Sequence, residues 1–209
     1  MTKPKHVILL GPPASGKGTQ ARKLATILGV ACLGTGKLLR SEIEKGTELG
    51  KTIGDFINRG DYVPDAFIMA MVDGWIKENE AGWLLDGYPR TQAQAEHLDR
   101  SAAPDLVIAL DVPRQDLEQR ITKRRECQDC GVTVAVVSAD QKQCPECKVG
   151  TLVARTDDAL ESFKQRYLTY EKLTMPLAEY YHQQGLLKHV DGTQSPEQVY
   201  AAILEIINS

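Results

Sequence analysis

His6 to Leu10 is a short apolar run rich in β-branched residues, and it stops at a glycine-rich turn. From Thr19 the apolar positions become Ala21, Leu24, Ala25 and Leu28, the spacing of one helix face. The pattern predicts strand, loop, helix. Trp83 to Leu85 and Leu106 to Leu110 are further strand candidates, each ending at an acidic residue, Asp86 and Asp111, with helical stretches between them. Strands alternating with helices predict an α/β fold in which helices cover both faces of a parallel sheet. Ligands of such sheets bind outside the carboxyl ends of the strands, where the first loop, Asp86 and Asp111 would sit together.

Two segments depart from this alternation. Residues 34–63 are helical in pattern and carry Gly36, Gly46, Gly50, Gly54 and Gly60, which suggests a small helical excursion. Residues 126–154 hold four cysteines, Gly131, Gly150 and β-branched runs such as Val132 to Val137, which suggests a compact hairpin module. Helix resumes after Asp157, with Leu160, Phe163, Tyr167 and Tyr170 three to four residues apart and a start signal at Ser195-Pro196-Glu197.

The chain has 209 residues, room for one α/β core with insertions rather than two full domains. Hydrophobic residues make up 42%, charged residues 25%, and the formal net charge is -3, a balance that disfavours disorder and a basic nucleic-acid-binding body. Near the start, the uninterrupted apolar run Val7 to Leu10 is too short for a signal peptide or membrane span. A cytoplasmic protein is expected.

Cysteine usage then adds a metal. Cys127-x2-Cys130 and Cys144-x2-Cys147, separated by thirteen residues, approach the four-thiolate zinc pattern with a slightly short gap. Each pair can clamp one edge of a tetrahedron, and structural Zn2+ would stabilise a module too small for its own core. Redox sensing through disulfides is the competing use. Cys32 stands apart and is expected to be packed.

Gly11-Pro12-Pro13-Ala14-Ser15-Gly16-Lys17-Gly18-Thr19 lies between the first strand and helix, the context of a phosphate-binding loop. Small residues let backbone N–H groups turn towards phosphate oxygens, and the helix N-terminus and Lys17 add positive charge. Gly18 stands where a magnesium-binding hydroxyl is usual, and Thr19 supplies the hydroxyl one residue later.

The Gly-Lys-Gly-Thr ending, Gly34-Thr35-Gly36-Lys37-Leu38-Leu39-Arg40 and Leu84-Leu85-Asp86-Gly87-Tyr88-Pro89-Arg90 resemble the adenylate kinase family of nucleoside monophosphate kinases. Arg155-Thr156-Asp157-Asp158, Arg166 and Val190-Asp191-Gly192-Thr193 extend the likeness over essentially the whole chain. The resemblance implies a P-loop NTPase-like fold with residues 1–33, 64–125 and 155–209 as core, 34–63 as monophosphate-binding domain and 126–154 as a lid held by zinc. It implies transfer of a phosphoryl group from MgATP to AMP, giving two ADP, with Mg2+ entering with ATP.

By the same likeness ATP contacts Gly11, Ala14, Ser15, Gly16, Lys17, Gly18, Thr19, Arg120, Arg124 and Gln194. AMP contacts Thr35, Arg40, Val63, Gly87, Arg90, Gln94, Arg155 and Arg166. Lys17, Arg90, Arg124, Arg155 and Arg166 surround the transferring phosphates, Asp86 organises magnesium through its waters, and Asp157 and Asp158 lie near the lid hinge. Hinges are expected near Arg125 and Arg155. Arginines suit such a site, since planar guanidinium forks stay charged and bind phosphate oxygens in pairs.

Three positions depart from the family. Lys37 replaces an acidic residue, Ala14 replaces a glycine, and Tyr88 replaces a phenylalanine. A Cβ at Ala14 restricts the backbone if that position needs positive φ. Lys37 either faces solvent or adds a phosphate contact. The competing functions are a kinase for GMP, CMP or UMP, a nucleotide-switched protein whose cysteine module contacts nucleic acid, and a P-loop scaffold without turnover. A monomer with no membrane partner is expected.

Overall fold

The computed structural model describes residues 3–59, 61–136, 138 and 140–209, with the Thr156 side chain set aside. Gly60 and Val137, named in the sequence reading, lie outside the described residues. The chain runs β1 (His6–Leu10), α1 (Lys17–Leu28), β2 (Ala31–Gly34), α2 (Thr35–Glu44), α3 (Glu48–Arg59), α4 (Asp65–Glu78), β3 (Trp83–Asp86) and α5 (Gln92–Ala102). It continues through β4 (Leu106–Asp111), α6 (Arg114–Lys123), β5 (Arg124–Cys127), β6 (Thr133–Ala135), β7 (Leu152–Val153) and a 3-10 turn at Thr156–Asp158. The last elements are α7 (Leu160–Leu173), α8 (Pro176–Gln183), β8 (Leu187–Asp191) and α9 (Pro196–Asn208).

The main sheet has five strands in the order β2-β3-β1-β4-β8, and every neighbouring pair is parallel. Side chains alternate along a strand, so β1 feeds two cores. Ile8 and Leu10 join Trp83, Leu85 and Val107 against Val72, Leu98 and Tyr181 on one face. Val7 and Leu9 join Leu84, Ile108 and Leu110 against Leu24 of α1 and Val199 and Ile203 of α9 on the other. Burial on both faces explains why β1 and β4 read as unbroken apolar runs.

Helix boundaries follow local chemistry. Gly29, at φ 67°, closes α1, and the Val30 N–H donates back to the Ala25 carbonyl at 3.1 Å. The α9 start is a capping box, with Ser195 Oγ accepting from the Gln198 N–H and the Gln198 side chain accepting from the Ser195 N–H. The start signal in the sequence therefore has a hydrogen-bonded cause.

A second, antiparallel sheet in the order β6-β5-β7 forms the cysteine module. Its buried cluster is small: Cys127, Val136, Cys144 and Leu152. The expectation for Cys32 needs correction, because that residue is exposed on edge strand β2 at the mouth of the cleft. Partial desolvation, with help from the Asp86 carboxylate, pushes its thiol up to about 11. Among the described residues no helix is long and apolar enough to cross a membrane.

Candidate active site

The carboxyl ends of β1, β2 and β3, the phosphate loop, α2 and the cysteine module enclose a cleft of about 1220 Å³. A single drug-sized ligand occupies roughly 300–1,000 Å³, so the space suits more than one small nucleotide. At its floor Gly11 (φ 145°), Ala14 (φ 67°) and Gly16 (φ 98°) turn the loop. Ala14 thus adopts a left-handed conformation that favours glycine, at a local cost of roughly 1–2 kcal/mol. A Cβ built on Gly11 would lie 3.0 Å from both the Leu110 carbonyl oxygen and Ser15 Oγ, so that position needs glycine for space as well.

Lys17 curls into this loop. Its Nζ donates to the carbonyls of Gly11 (2.7 Å) and Pro12 (2.9 Å) and to Ser15 Oγ (3.3 Å). Burial lowers its pKa to about 8; Asp86 opposes the fall, and Arg90, Arg166 and Arg124 add to it. Gly18 has a steric reason, since a Cβ there would lie 3.2 Å from Asp86 Oδ2. Asp86 therefore overhangs the start of α1, a place from which its carboxylate can organise a cation's waters.

Three arginines, Arg124 of β5, Arg155 after β7 and Arg166 of α7, converge on an aspartate pair. Arg124 forms a paired bond with Asp158, through Nε to Oδ2 at 2.7 Å and Nη2 to Oδ1. Arg155 grips Asp157 in the same way at 2.9 and 2.7 Å, and Arg166 Nη1 donates to the Asp157 carbonyl and lies 3.0 Å from its Oδ2. Burial would raise the Asp157 pKa, but Arg166 and then Arg155 hold the carboxyl well below the usual range. Burial lowers Arg166 to about 10, against the opposing charge of Asp157. Arg120 stands at the other end, where its Nη2 donates to the Gly192 carbonyl (2.7 Å) and its Nη1 to the Ser15 carbonyl (3.4 Å), tying the loop to the turn after β8. Gln194 lines the cleft beside that turn and donates to Asp191 at 3.2 Å.

Gly87 and Arg90 line the opposite wall, while Thr35 and Gln94 are buried behind them rather than on the cleft surface. Buried Thr35 donates to the Gly87 carbonyl at 2.7 Å, and Arg90 Nε donates to the same oxygen at 2.7 Å. Gly87, at φ 79°, has no room for a Cβ, which would lie 2.9 Å from Thr35 Oγ1. Gln94 accepts from the Arg90 N–H (2.8 Å) and donates to Asp65 Oδ1 (2.7 Å), a network that fixes its amide orientation. Val63 is buried in the adjoining core. Tyr88 is fully buried, its hydroxyl 3.4 Å from the Gln94 carbonyl. Arg40, on α2, faces Glu126 at 3.4 Å. Exposed Lys37 extends towards the cysteine module, its Nζ 3.4 Å from where a Gly131 Cβ would be.

Sequence reasoning missed several supports. Tyr62 stacks on the Arg90 guanidinium at 5.0 Å and hydrogen-bonds Thr174 at 2.8 Å, while Thr174 donates to the Arg90 carbonyl at 2.8 Å. Tyr62 and Thr174 are 112 residues apart and belong to no motif, so only the fold reveals them. Asp65 left a weak trace as an acidic residue opening α4 after Pro64.

The four cysteines also meet. Their Sγ atoms lie within 4.8 Å of one another, with Cys127–Cys147 and Cys130–Cys144 each at 3.7 Å. The spacing is far beyond a disulfide bond and matches the edge of about 3.8 Å expected for a sulfur tetrahedron around zinc. Gly150 completes the cradle: a Cβ there would lie 2.2 Å from Cys127 Sγ, and its N–H donates to Cys147 Sγ at 3.3 Å. The N–H groups of Val149 and Gly150 lower the Cys147 thiol to about 7, whereas at Cys130 the Val132 N–H is outweighed by desolvation and the neighbouring thiols, which push it up to about 12. The residues fit a structural zinc ion.

Comparisons with known proteins agree with this geometry. A family model described as adenylate kinase matches residues 9–186. The chain is 40% identical over 217 aligned positions to an adenylate kinase of Archaeoglobus fulgidus, covering 98% of this chain and 100% of the relative. Identity to an adenylate kinase of Carboxydothermus hydrogenoformans is 41%, covering 94% and 96%. One of Thermotoga maritima shares 40%, covering 97% and 96%. With the phosphate loop, arginine cluster and cysteine module in one cleft and such likeness along nearly its full length, the chain belongs to the adenylate kinase family.

Proposed function

We propose that the chain catalyses reversible transfer of the terminal phosphoryl group of MgATP to AMP, giving two ADP. The observation that carries the proposal is the convergence of Lys17, Arg124, Arg155 and Arg166 on one cleft whose far wall is Gly87 and Arg90, braced from behind by Thr35 and Gln94. An oxygen of the AMP phosphate attacks the γ-phosphorus in line, one P–O bond forms, and the bond to the β–γ bridging oxygen breaks, leaving ADP on both sides. The attacking phosphate has a second pKa of about 6, so it is largely dianionic at neutral pH and no general base is needed.

Cations do the remaining work. Lys17 and the loop N–H groups bind the β- and γ-phosphates, and Arg124, Arg155 and Arg166 stabilise charge on the equatorial oxygens. Arg40 and Arg90 hold the acceptor's phosphate, while Thr35, Val63, Gly87 and Gln94 frame its base. Gly11, Ala14, Ser15, Gly16, Gly18, Thr19, Arg120 and Gln194 frame the donor. Magnesium bound with ATP would neutralise phosphate charge, and Asp86 is the carboxylate placed to hold its water shell.

Residues 34–63 serve as the acceptor-binding domain and 126–154 as the lid, with hinges near Arg125 and Arg155. Lid closure keeps water, the competing acceptor, from the γ-phosphate. Cys127, Cys130, Cys144 and Cys147 hold zinc, and four protein ligands leave it no open position for substrate. The protein works as a cytoplasmic monomer on free nucleotides.

A coupled assay with MgATP and AMP, GMP, CMP or UMP tests this reading. Preference for AMP is expected, and Lys17→Ala should lower kcat by about 10²–10³ while the thermal transition persists. Turnover confined to another acceptor would change the substrate. No turnover with any acceptor from folded, zinc-loaded protein would overturn the function.

A further inference from the structure

Glu126 is a carboxylate with no place in the chemistry above. It follows Arg125 in β5, adjoins the first cysteine ligand and reaches into the cleft. Its Oε2 is shut off from solvent and makes no hydrogen bond, yet lies 3.4 Å from Arg40 Nη2 and 3.6 Å from Arg155 Nε. A buried carboxylate oxygen without a donor is costly, and only opposite charge offsets that cost. Arg155 is also gripped by Asp157, but among the described residues Glu126 is the one ion-pair partner of Arg40.

The two guanidinium groups repel one another, and burial compounds the strain. Arg40's pKa is lowered by burial, by Arg155 and less by Arg124, and raised by Glu126 and, less, by Asp157. Glu126 is thus the counter-anion that lets an arginine of α2 and an arginine at the module's exit share one wall. Lys37, on the same helix, also faces the module at Gly131. The charge of Arg40 is met from across the cleft by Glu126 of β5.

We infer that Glu126 is an internal competitor for the acceptor's phosphate: its carboxylate neutralises Arg40 and Arg155 until an incoming phosphate dianion displaces it. The inference rests on Arg40 serving the acceptor. Glu126 is accordingly a positioning residue that sets acceptor affinity, and donor affinity does not depend on it.

Removing the charge frees the arginines, so the acceptor no longer binds only the fraction of molecules in which Glu126 has withdrawn. Steady-state kinetics on full-length Glu126→Gln should show KM for AMP falling about three- to tenfold, with KM for ATP unmoved and the change in KM rather than kcat. Inorganic phosphate should inhibit competitively against AMP and more tightly in the variant. Glu126→Val provides a second uncharged side chain with strong strand propensity should the glutamine variant fold poorly. Arg40→Ala, run in parallel, should raise KM for AMP. If Arg40→Ala raises it while neither Glu126 variant lowers it, Glu126 does not compete and the inference is overturned, with the acceptor site intact. If Arg40→Ala leaves KM for AMP unchanged, the acceptor-site assignment fails and the inference falls with it.

Discussion

The main sheet and the cysteine module lie in one chain but are held together by different physics. The sheet buries aliphatic side chains on both faces, Ile8 and Leu85 on one and Leu9 and Ile108 on the other. Among the described residues the module buries only a small cluster, Val136, Leu152, Cys127 and Cys144. Area removed from water suffices for the first, whereas the second needs ligand bonds that do not scale with area. A segment can then have a fixed shape while keeping little apolar attachment to the rest of the chain.

Metal removal breaks this comparison most severely. A chelator strong enough to strip zinc should release one equivalent, abolish amide protection across β5, β6 and β7 and lower turnover at least about tenfold. Protection of β1, β3 and β4 should survive, as hydrogen exchange followed by mass spectrometry can resolve. Simultaneous loss of both sheets would show that the module stabilises the core after all.

Asp157, at the junction of the two regions, gives the next effect. Asp157→Asn strands Arg155 and Arg166 without their shared partner and should cost about 3 kcal/mol, read from chemical denaturation. The pH dependence has a definite sign. The folded-state pKa is depressed, so the stabilisation is complete above the unfolded carboxyl value near 4 and is lost as pH falls towards the folded value. The gap between native protein and variant should be constant from about pH 5 upward and narrow below about pH 4.

Ala14→Gly sharpens the comparison most gently. It relieves a left-handed φ of 67° in the phosphate loop and should stabilise the protein by up to about 1 kcal/mol, with no effect on metal content. A destabilised variant would mean that the Ala14 methyl, which packs against the Val112 and Phe163 cluster, outweighs the backbone strain.

Much of this architecture was legible wherever sequence and physics were local. β1 and β4 are buried on both faces and so announce themselves as apolar runs, and Ser195-Pro196-Glu197 marks a helix start within three residues. β2 and β8 did not read as strands. Each is an edge strand, Ala31–Gly34 with a single buried side chain and Leu187–Asp191 with exposed Lys188 and His189 between buried Leu187 and Val190. At the site, motif residues such as Lys17 and Arg90 were findable, and four regularly spaced cysteines implied their own meeting. Glu126 was not, because its significance arises from Arg40 and Arg155, 86 and 29 positions away along the chain. Cys32 was misjudged because a short apolar-looking stretch does not reveal that its strand lies at the edge.

The strands by which the module leaves and rejoins the main body are hydrogen-bonded neighbours, with Glu126 opposite Val153 and Cys127 opposite Leu152. The two ends of the insertion therefore stand side by side, and the body sees the same short gap whatever the intervening chain contains. Because loop-closure cost rises only slowly with length, everything beyond that pair behaves as an exchangeable cassette. The main sheet would keep its frame whether that insertion were longer or shorter, because one strand pair sets the gap it spans.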